Sequence, residues 1–219
     1  MMEPVNNLTK ELIEYCEKID INLVGFSDTT KFNNFSKKHR PNSYLNNSKT
    51  VIVIGFHLYD ISLDAWNRDE DKGKSYHFAD LILLNQCHRI KNILTKKGFK
   101  SKIITYEPGL FLKDAAALAG IGPIGKNNLL ITKTYGSQVR LRALVTDAEL
   151  SYGIPIHESE YCRNCNICVE SCPAGALEGG KYNKEICRNY CLKNLKYQSE
   201  NTVIWCNVCI ESCPVGRKD

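Results

Sequence analysis

Long apolar runs are missing from this chain: nothing in its 219 residues approaches the roughly 18 consecutive apolar residues that a membrane-spanning helix requires. The start, Met1-Met2-Glu3-Pro4, lacks a basic segment followed by an apolar one. No export leader is read there, so the expected location is the cytoplasm and no membrane partner is expected. Charge of one sign is not concentrated either. The net charge of +5 is spread over Lys37, Lys38 and Arg40, over Lys96, Lys97, Lys100 and Lys102, and over Lys193 and Lys196. So diffuse an excess can guide an acidic redox partner or an anionic substrate, but it does not mark specific nucleic-acid recognition. Cysteine is scarce before residue 162, where only Cys16 and Cys87 occur. Both lie on apolar faces of helical patterns and read as small packed hydrophobes.

The remaining nine of the eleven cysteines are crowded into the last 58 residues. Cys162, Cys165, Cys168 and Cys172 precede Pro173 in the spacing C-x2-C-x2-C-x3-C-P. That is the bacterial ferredoxin run, in which three thiolates from one tight loop hold a cubane and the cysteine before the proline reaches across to another. A second run, Cys206, Cys209 and Cys213 before Pro214, is one cysteine short. Exchange of the fourth ligands assigns Cys162, Cys165, Cys168 and Cys213 to one [4Fe-4S] cluster. The second takes Cys206, Cys209, Cys172 and a cysteine from the intervening segment. Cys187 fills that last place, with Cys191 one helical turn further on as the alternative. A zinc ribbon would use CxxC pairs without the third cysteine and without the Cys-Pro ending. Thiols kept as cluster ligands also suit a reducing cytoplasm.

Ahead of the tail, the patterns alternate between helix and strand. TKELIEYCEKID at 9–20 has one apolar face, with Asn7 or Thr9 as the cap and Glu11 in the first turn. TVIVIGFHL at 50–58 is a buried, β-branched strand. Residues 75–97 read as a long helix ending at Gly98, 102–106 as a strand, and 111–119 as an alanine-rich helix. Strands are expected at 22–26, 129–132 and 139–146, and a helix after each Cys-Pro, where proline suits the first turn. Composition changes near 151–159, which places an α+β domain at residues 1–154 and a two-cluster ferredoxin-like domain at 155–219. ESCPAG at 170–175 and ESCPVG at 211–216 mark an internal repeat.

Gly120, Gly122 and Gly125 satisfy G-x-G-x-x-G, and Gly125-Lys126 nearly completes a P-loop. Both matches fail on context. A helix precedes the loop and a strand follows it, and Asn127 stands where a P-loop needs Ser or Thr. Backbone N–H groups and Lys126 could still hold a phosphate or amide of a large cofactor, as an alternative to a plain turn between helix and strand.

The segment DAAALAGIGPIGKNNLLITKTYGSQVRLRALVTDAEL, followed by the two cysteine runs, resembles epoxyqueuosine reductase and the related reductive dehalogenases, as does HRPNSYLNNSKTVIVIG at 39–55. The resemblance implies a nitroreductase-like N-terminal domain that binds cobalamin, with the two clusters passing single electrons to cobalt. It implies Gly122, Gly125, Lys126, Asn127 and the pair Tyr76-His77 as cofactor contacts. A low-potential donor such as a ferredoxin or flavodoxin would supply the electrons, and a small molecule or corrinoid would be the substrate. Two departures stand out. The acid that epoxyqueuosine reductases carry about fourteen residues before the glycine is replaced by Tyr106; tyrosine is the donor in the dehalogenase branch, so the resemblance implies Tyr106 as the candidate proton donor, ahead of Glu107 and Tyr76. The helical-repeat domain associated with tRNA binding is missing, so specific tRNA binding is not expected. The alternatives are a non-catalytic electron carrier and an activator of another protein's corrinoid. Trp205, beside Cys206, is a candidate shield for a cluster.

Overall fold

The computed structural model describes residues 5–69 and 74–216, without the side chains of residues 68, 69 and 74–76. The helices are α1 (Asn7–Lys18), α2 (Phe78–Lys96), α3 (Leu112–Leu118), α4 (Ile167–Glu170), α5 (Lys184–Lys193) and α6 (Val208–Glu211). The strands are β1 (Leu23–Asp28), β2 (Thr50–His57), β3 (Trp66–Asp69), β4 (Lys74–His77), β5 (Ser101–Ile103), β6 (Val139–Thr146), β7 (Lys196–Tyr197) and β8 (Thr202–Ile204). The chain forms two compact units. One comprises Met1–Phe56, Ile82–Gly122 and Leu141–His157, the other His57–Leu81, Pro123–Arg140 and Glu158–Asp219.

In the first unit, a sheet in the order β1-β2-β6-β5 carries the core. The β-branched run of β2 does what its composition predicts: Val51, Ile52, Val53 and Ile54 are all buried. β1 pairs with it antiparallel, from Leu23 opposite Gly55 to Asp28 opposite Thr50. Leu12 and Cys16 of α1 and Leu83, Cys87, Ile90 and Leu94 of α2 join Phe26, Ile52, Ile54 and Leu144 in one cluster. Burial pushes the thiols of Cys16 and Cys87 up to about 12, so both stay neutral and act as apolar filling. The cap of α1 is Asn6 rather than Asn7 or Thr9; its side chain accepts the Thr9 N–H at 2.8 Å, and no acid occupies the first turn.

The second unit has its own sheet, β4-β3-β8-β7. β3 and β4 are antiparallel, with Trp66 opposite His77 and Asp69 opposite Lys74. The long helix therefore begins at Phe78 instead of at residue 75. Arg140 braces this unit, donating from Nε to Asp80 at 2.9 Å and from Nη1 to Asp64 at 3.0 Å. The expected strand at 129–132 is reduced to isolated bridges, Ile124 with Leu130 and Thr132 with Gly136.

Among the described residues no α-helix starts directly after either Cys-Pro pair. Instead a one-turn helix ends just before each pair: α4 stops at Glu170 and α6 at Glu211. Proline disfavours helical geometry in the residue before it, so the chain leaves the helix ahead of Cys172 and Cys213. The cysteines are thereby delivered from a turn.

Candidate metal centre

The second unit contains two hollows, and cysteines line both. Cys162, Cys165, Cys168 and Cys213 surround the first, which Asn127, Ile131, Tyr161, Pro214 and Val215 complete. Its loop is short and self-bonded. Cys162 ends a tight turn begun at Glu160, and the carbonyl of Asn166 accepts the Val169 and Glu170 N–H groups to start α4, which buries Cys168. Lys126 ties this loop down. Its ammonium donates to the Cys165 carbonyl at 3.0 Å and to the Asn166 side-chain oxygen at 2.8 Å.

Cys213 arrives from the other end of the repeat, where backbone passes close to backbone. A Cβ on Gly136, whose φ is +54°, would lie 1.9 Å from the Val215 carbonyl, and one on Gly216 would lie 2.1 Å from the Gly136 nitrogen. Only glycine allows that approach. It fixes Pro214 and Val215 against the first hollow.

Cys172, Cys187, Cys206 and Cys209 line the second hollow, together with Cys191, Tyr182 and Tyr190. Helix α5 supplies Cys187 and Cys191. Asn183 caps it by accepting the Glu185 and Ile186 N–H groups, each at 3.1 Å, and itself donates its N–H to the Ala176 carbonyl at 2.8 Å. Tyr182 and Cys191 line the same hollow as Cys187. Cys191 is 4% exposed. Burial, reinforced by neighbouring Cys206, pushes the Cys209 thiol up to about 12. Crowded, buried thiols resist ionising unless positive metal is present to hold them as thiolates.

Asn127 belongs to both hollows. It is 4% exposed, donates from Nδ2 to the Ser137 hydroxyl at 3.2 Å and to the Cys209 carbonyl at 3.3 Å, and accepts the Leu129 N–H. The resemblance names Asn127 as a cofactor contact, and cysteine spacing does not indicate its place between the hollows. Nor did it reveal Lys196, whose ammonium holds the Asn207 side-chain oxygen at 2.8 Å.

The donor set is all sulfur, four thiols or more at each hollow. Among the described residues no three His, Cys, Asp or Glu side chains converge closely enough to share a single ion. Thiols spread around a hollow suit a body of several metal and sulfide atoms. None of the eleven cysteines is in a disulfide.

The remaining sequence candidates have other surroundings. Gly125 packs on Ile131, where a Cβ would meet Cδ1 at 2.2 Å. Gly122 is buried at the end of the Ile82–Gly122 segment. His77 lies beside Asp64, Asp80 and Arg140; burial first, and the Arg140 cation second, hold its imidazole below the usual range. The side chain of Tyr76 is outside the described residues. In the first unit, Tyr106 is 38% exposed, its hydroxyl donates to the Leu141 carbonyl at 3.2 Å, and the Arg142 guanidinium lies 4.9 Å from its ring centre. Trp205 stacks on Trp66 with centroids 5.7 Å apart and lines neither hollow.

A 4Fe-4S binding domain family matches residues 155–178. Epoxyqueuosine reductase from Bacillus subtilis is 26% identical over 220 residues, covering 85% of this chain and 56% of that protein. The chain thus spans about half the length of such curated relatives. Among solved structures, epoxyqueuosine reductase from Streptococcus thermophilus superposes with a TM-score of 0.74 at 23% identity, over 98% of this chain and 67% of that one. A second, solved with an epoxyqueuosine-modified tRNA stem loop, gives 0.72 at 21%, over 95% and 65%. A reductive dehalogenase structure, described as suggesting a mechanism for B12-dependent dehalogenation, gives 0.70 at 14%, over 100% and 33%. The expected resemblance and fold class hold: an α+β chain with a C-terminal ferredoxin-like region, similar to epoxyqueuosine reductases and sharing their fold and that of the dehalogenases. The matched 4Fe-4S domain supports iron–sulfur binding by the cysteine-rich part.

Proposed function

We propose that two [4Fe-4S] clusters fill the two hollows and pass single electrons to a corrinoid in the nitroreductase-like part, residues 1–154, for a reductive reaction on an unidentified substrate. The first cluster is held by Cys162, Cys165, Cys168 and Cys213, the second by Cys172, Cys187, Cys206 and Cys209. The observation that carries this reading is the sorting of these cysteines into two separate sulfur-lined hollows within one unit. Clusters so placed exchange one electron at a time, and the protein sets their potentials through burial and hydrogen bonds to sulfur.

The corrinoid part has a different support: the fold shared with the B12-dependent dehalogenase. A bound corrinoid would supply a metal centre that accumulates reducing equivalents. Three of the side chains singled out for it have other partners here: Lys126 and Asn127 are bonded to the cysteine loops, and His77 lies beside Asp64, Asp80 and Arg140. Tyr106 remains the candidate proton donor, and to act it must release the Leu141 carbonyl. The tRNA stem loop in a structure of the same fold makes a modified tRNA a substrate to assay beside small molecules. A cytoplasmic setting and a ferredoxin or flavodoxin donor complete the reading.

Anaerobic reconstitution tests it. Iron and sulfide near eight of each per chain, with uptake of hydroxocobalamin and its visible spectrum, are the expected result (about four of each per cluster). Two clusters without cobalamin uptake would leave an electron carrier or an activator of another protein's corrinoid. Zinc or bare thiols would end all three readings.

A further inference from the structure

The two cysteine loops carry matching cationic clamps. In the repeat, Cys165-Asn166-Ile167-Cys168 corresponds to Cys206-Asn207-Val208-Cys209. The asparagine between the paired cysteines opens a one-turn helix in each half, its carbonyl accepting two N–H groups: those of Val169 and Glu170 from Asn166, those of Ile210 and Glu211 from Asn207. In each half a lysine from elsewhere in the chain places its ammonium on that asparagine's side-chain oxygen at 2.8 Å: Lys126 on Asn166, Lys196 on Asn207.

The lysines do not come from the repeat. Lys126 follows the glycine loop, and Lys196 stands in β7, eleven residues before Asn207. Two unrelated segments therefore deliver the same charge to the same point of each loop. Asn207 is 2% exposed, and Lys196 reaches it from the exposed surface.

We propose that Lys126 and Lys196 are a matched pair of positioning residues, one per cluster, each raising the reduction potential of the cluster whose loop it clamps. The inference rests on the two-cluster reading above. The physical cause is elementary. A reduced cluster with its thiolates carries one more negative charge than the oxidised one, and a fixed cation beside it stabilises the reduced form more.

The experiment is an EPR-monitored redox titration of the reconstituted, full-length protein and its variants, with iron counted in each. Cys165→Ser and Cys206→Ser proteins, each retaining one cluster, identify the two signals. Lys126→Gln keeps a hydrogen-bond donor while removing the charge. Its expected effect is a tenfold weaker reduction equilibrium at the first cluster, about 59 mV for one electron, with a smaller change at the second. Lys196→Gln should show the reverse, and the Arg variants should restore wild-type midpoints. Unchanged midpoints at full iron content would overturn the proposal. So would equal shifts of both clusters in each variant, or loss of a cluster in the Gln variants, which would leave the lysines as structural clamps. A wild-type protein without two clusters would instead sink the reading beneath it.

Discussion

The two cysteine hollows come from one repeated motif yet are closed in different ways. Three cysteines of the first, Cys162, Cys165 and Cys168, leave a single loop, and Cys213 is the only distant member. The second has no equivalent of Cys162. Its loop contributes Cys206 and Cys209, Cys172 comes from the other half, and the missing place is taken from helix α5. The difference is that helix α5 brings to the second hollow the cysteine its own loop lacks. It also makes the second site depend on the folding of that helix, while the first depends on a backbone crossing at Gly136 and Gly216.

That contrast can be broken outright by removing a ligand. Cys165→Ser should cost about four of about eight irons, all from the first site, and leave the β1-β2-β6-β5 sheet folded; iron analysis beside far-UV circular dichroism checks this, and an undiminished iron count would refute the assignment. At the second site, Cys187→Ser should remove a similar share while Cys191→Ser keeps the full count. The opposite pattern would exchange their roles.

Weaker changes sharpen the comparison. Gly136→Ala drives a methyl into the Val215 carbonyl at a positive φ, and strain of about 1–3 kcal/mol or more is expected. Because Pro214 and Val215 line the first hollow, a chelator should strip iron from that site faster while the second keeps its wild-type rate. Asn183→Ala removes the cap of α5 at a cost of about 1 kcal/mol, and here the faster loss should be confined to the second. Smallest of all is Tyr106→Phe, which forfeits one half-buried hydrogen bond, roughly 0.5–1.5 kcal/mol. Its stability change should be slight, and slowed turnover with unaltered cofactor content would mark Tyr106 as the proton donor.

Much of this was legible in the sequence wherever the signal was local. The interval between cysteines is a property of a single loop, and the buried run of β2 declares itself by its β-branched residues. The helices after Cys-Pro were misplaced because proline's tolerance at a helix start was weighed, while its effect on the preceding cysteine was not. α2 starts later than its periodicity suggests because residues 75–77 are taken into hairpin pairing with Arg68, Asn67 and Trp66. Lys126 looked like a ligand for a cofactor because it follows glycines. Its partners, Cys165 and Asn166, are 39 and 40 residues away. Likewise, neither the helix-to-strand pattern nor the cysteine spacing indicates that segments 57–81 and 123–140 pack with the C-terminal tail.

Asn127 is a partition shared by two rooms. Since this buried amide side chain lines both hollows, an electron resting in either would be felt in the other through it. Filling one room makes the second harder to fill, so the pair would load in sequence, each arrival nudging its predecessor onward.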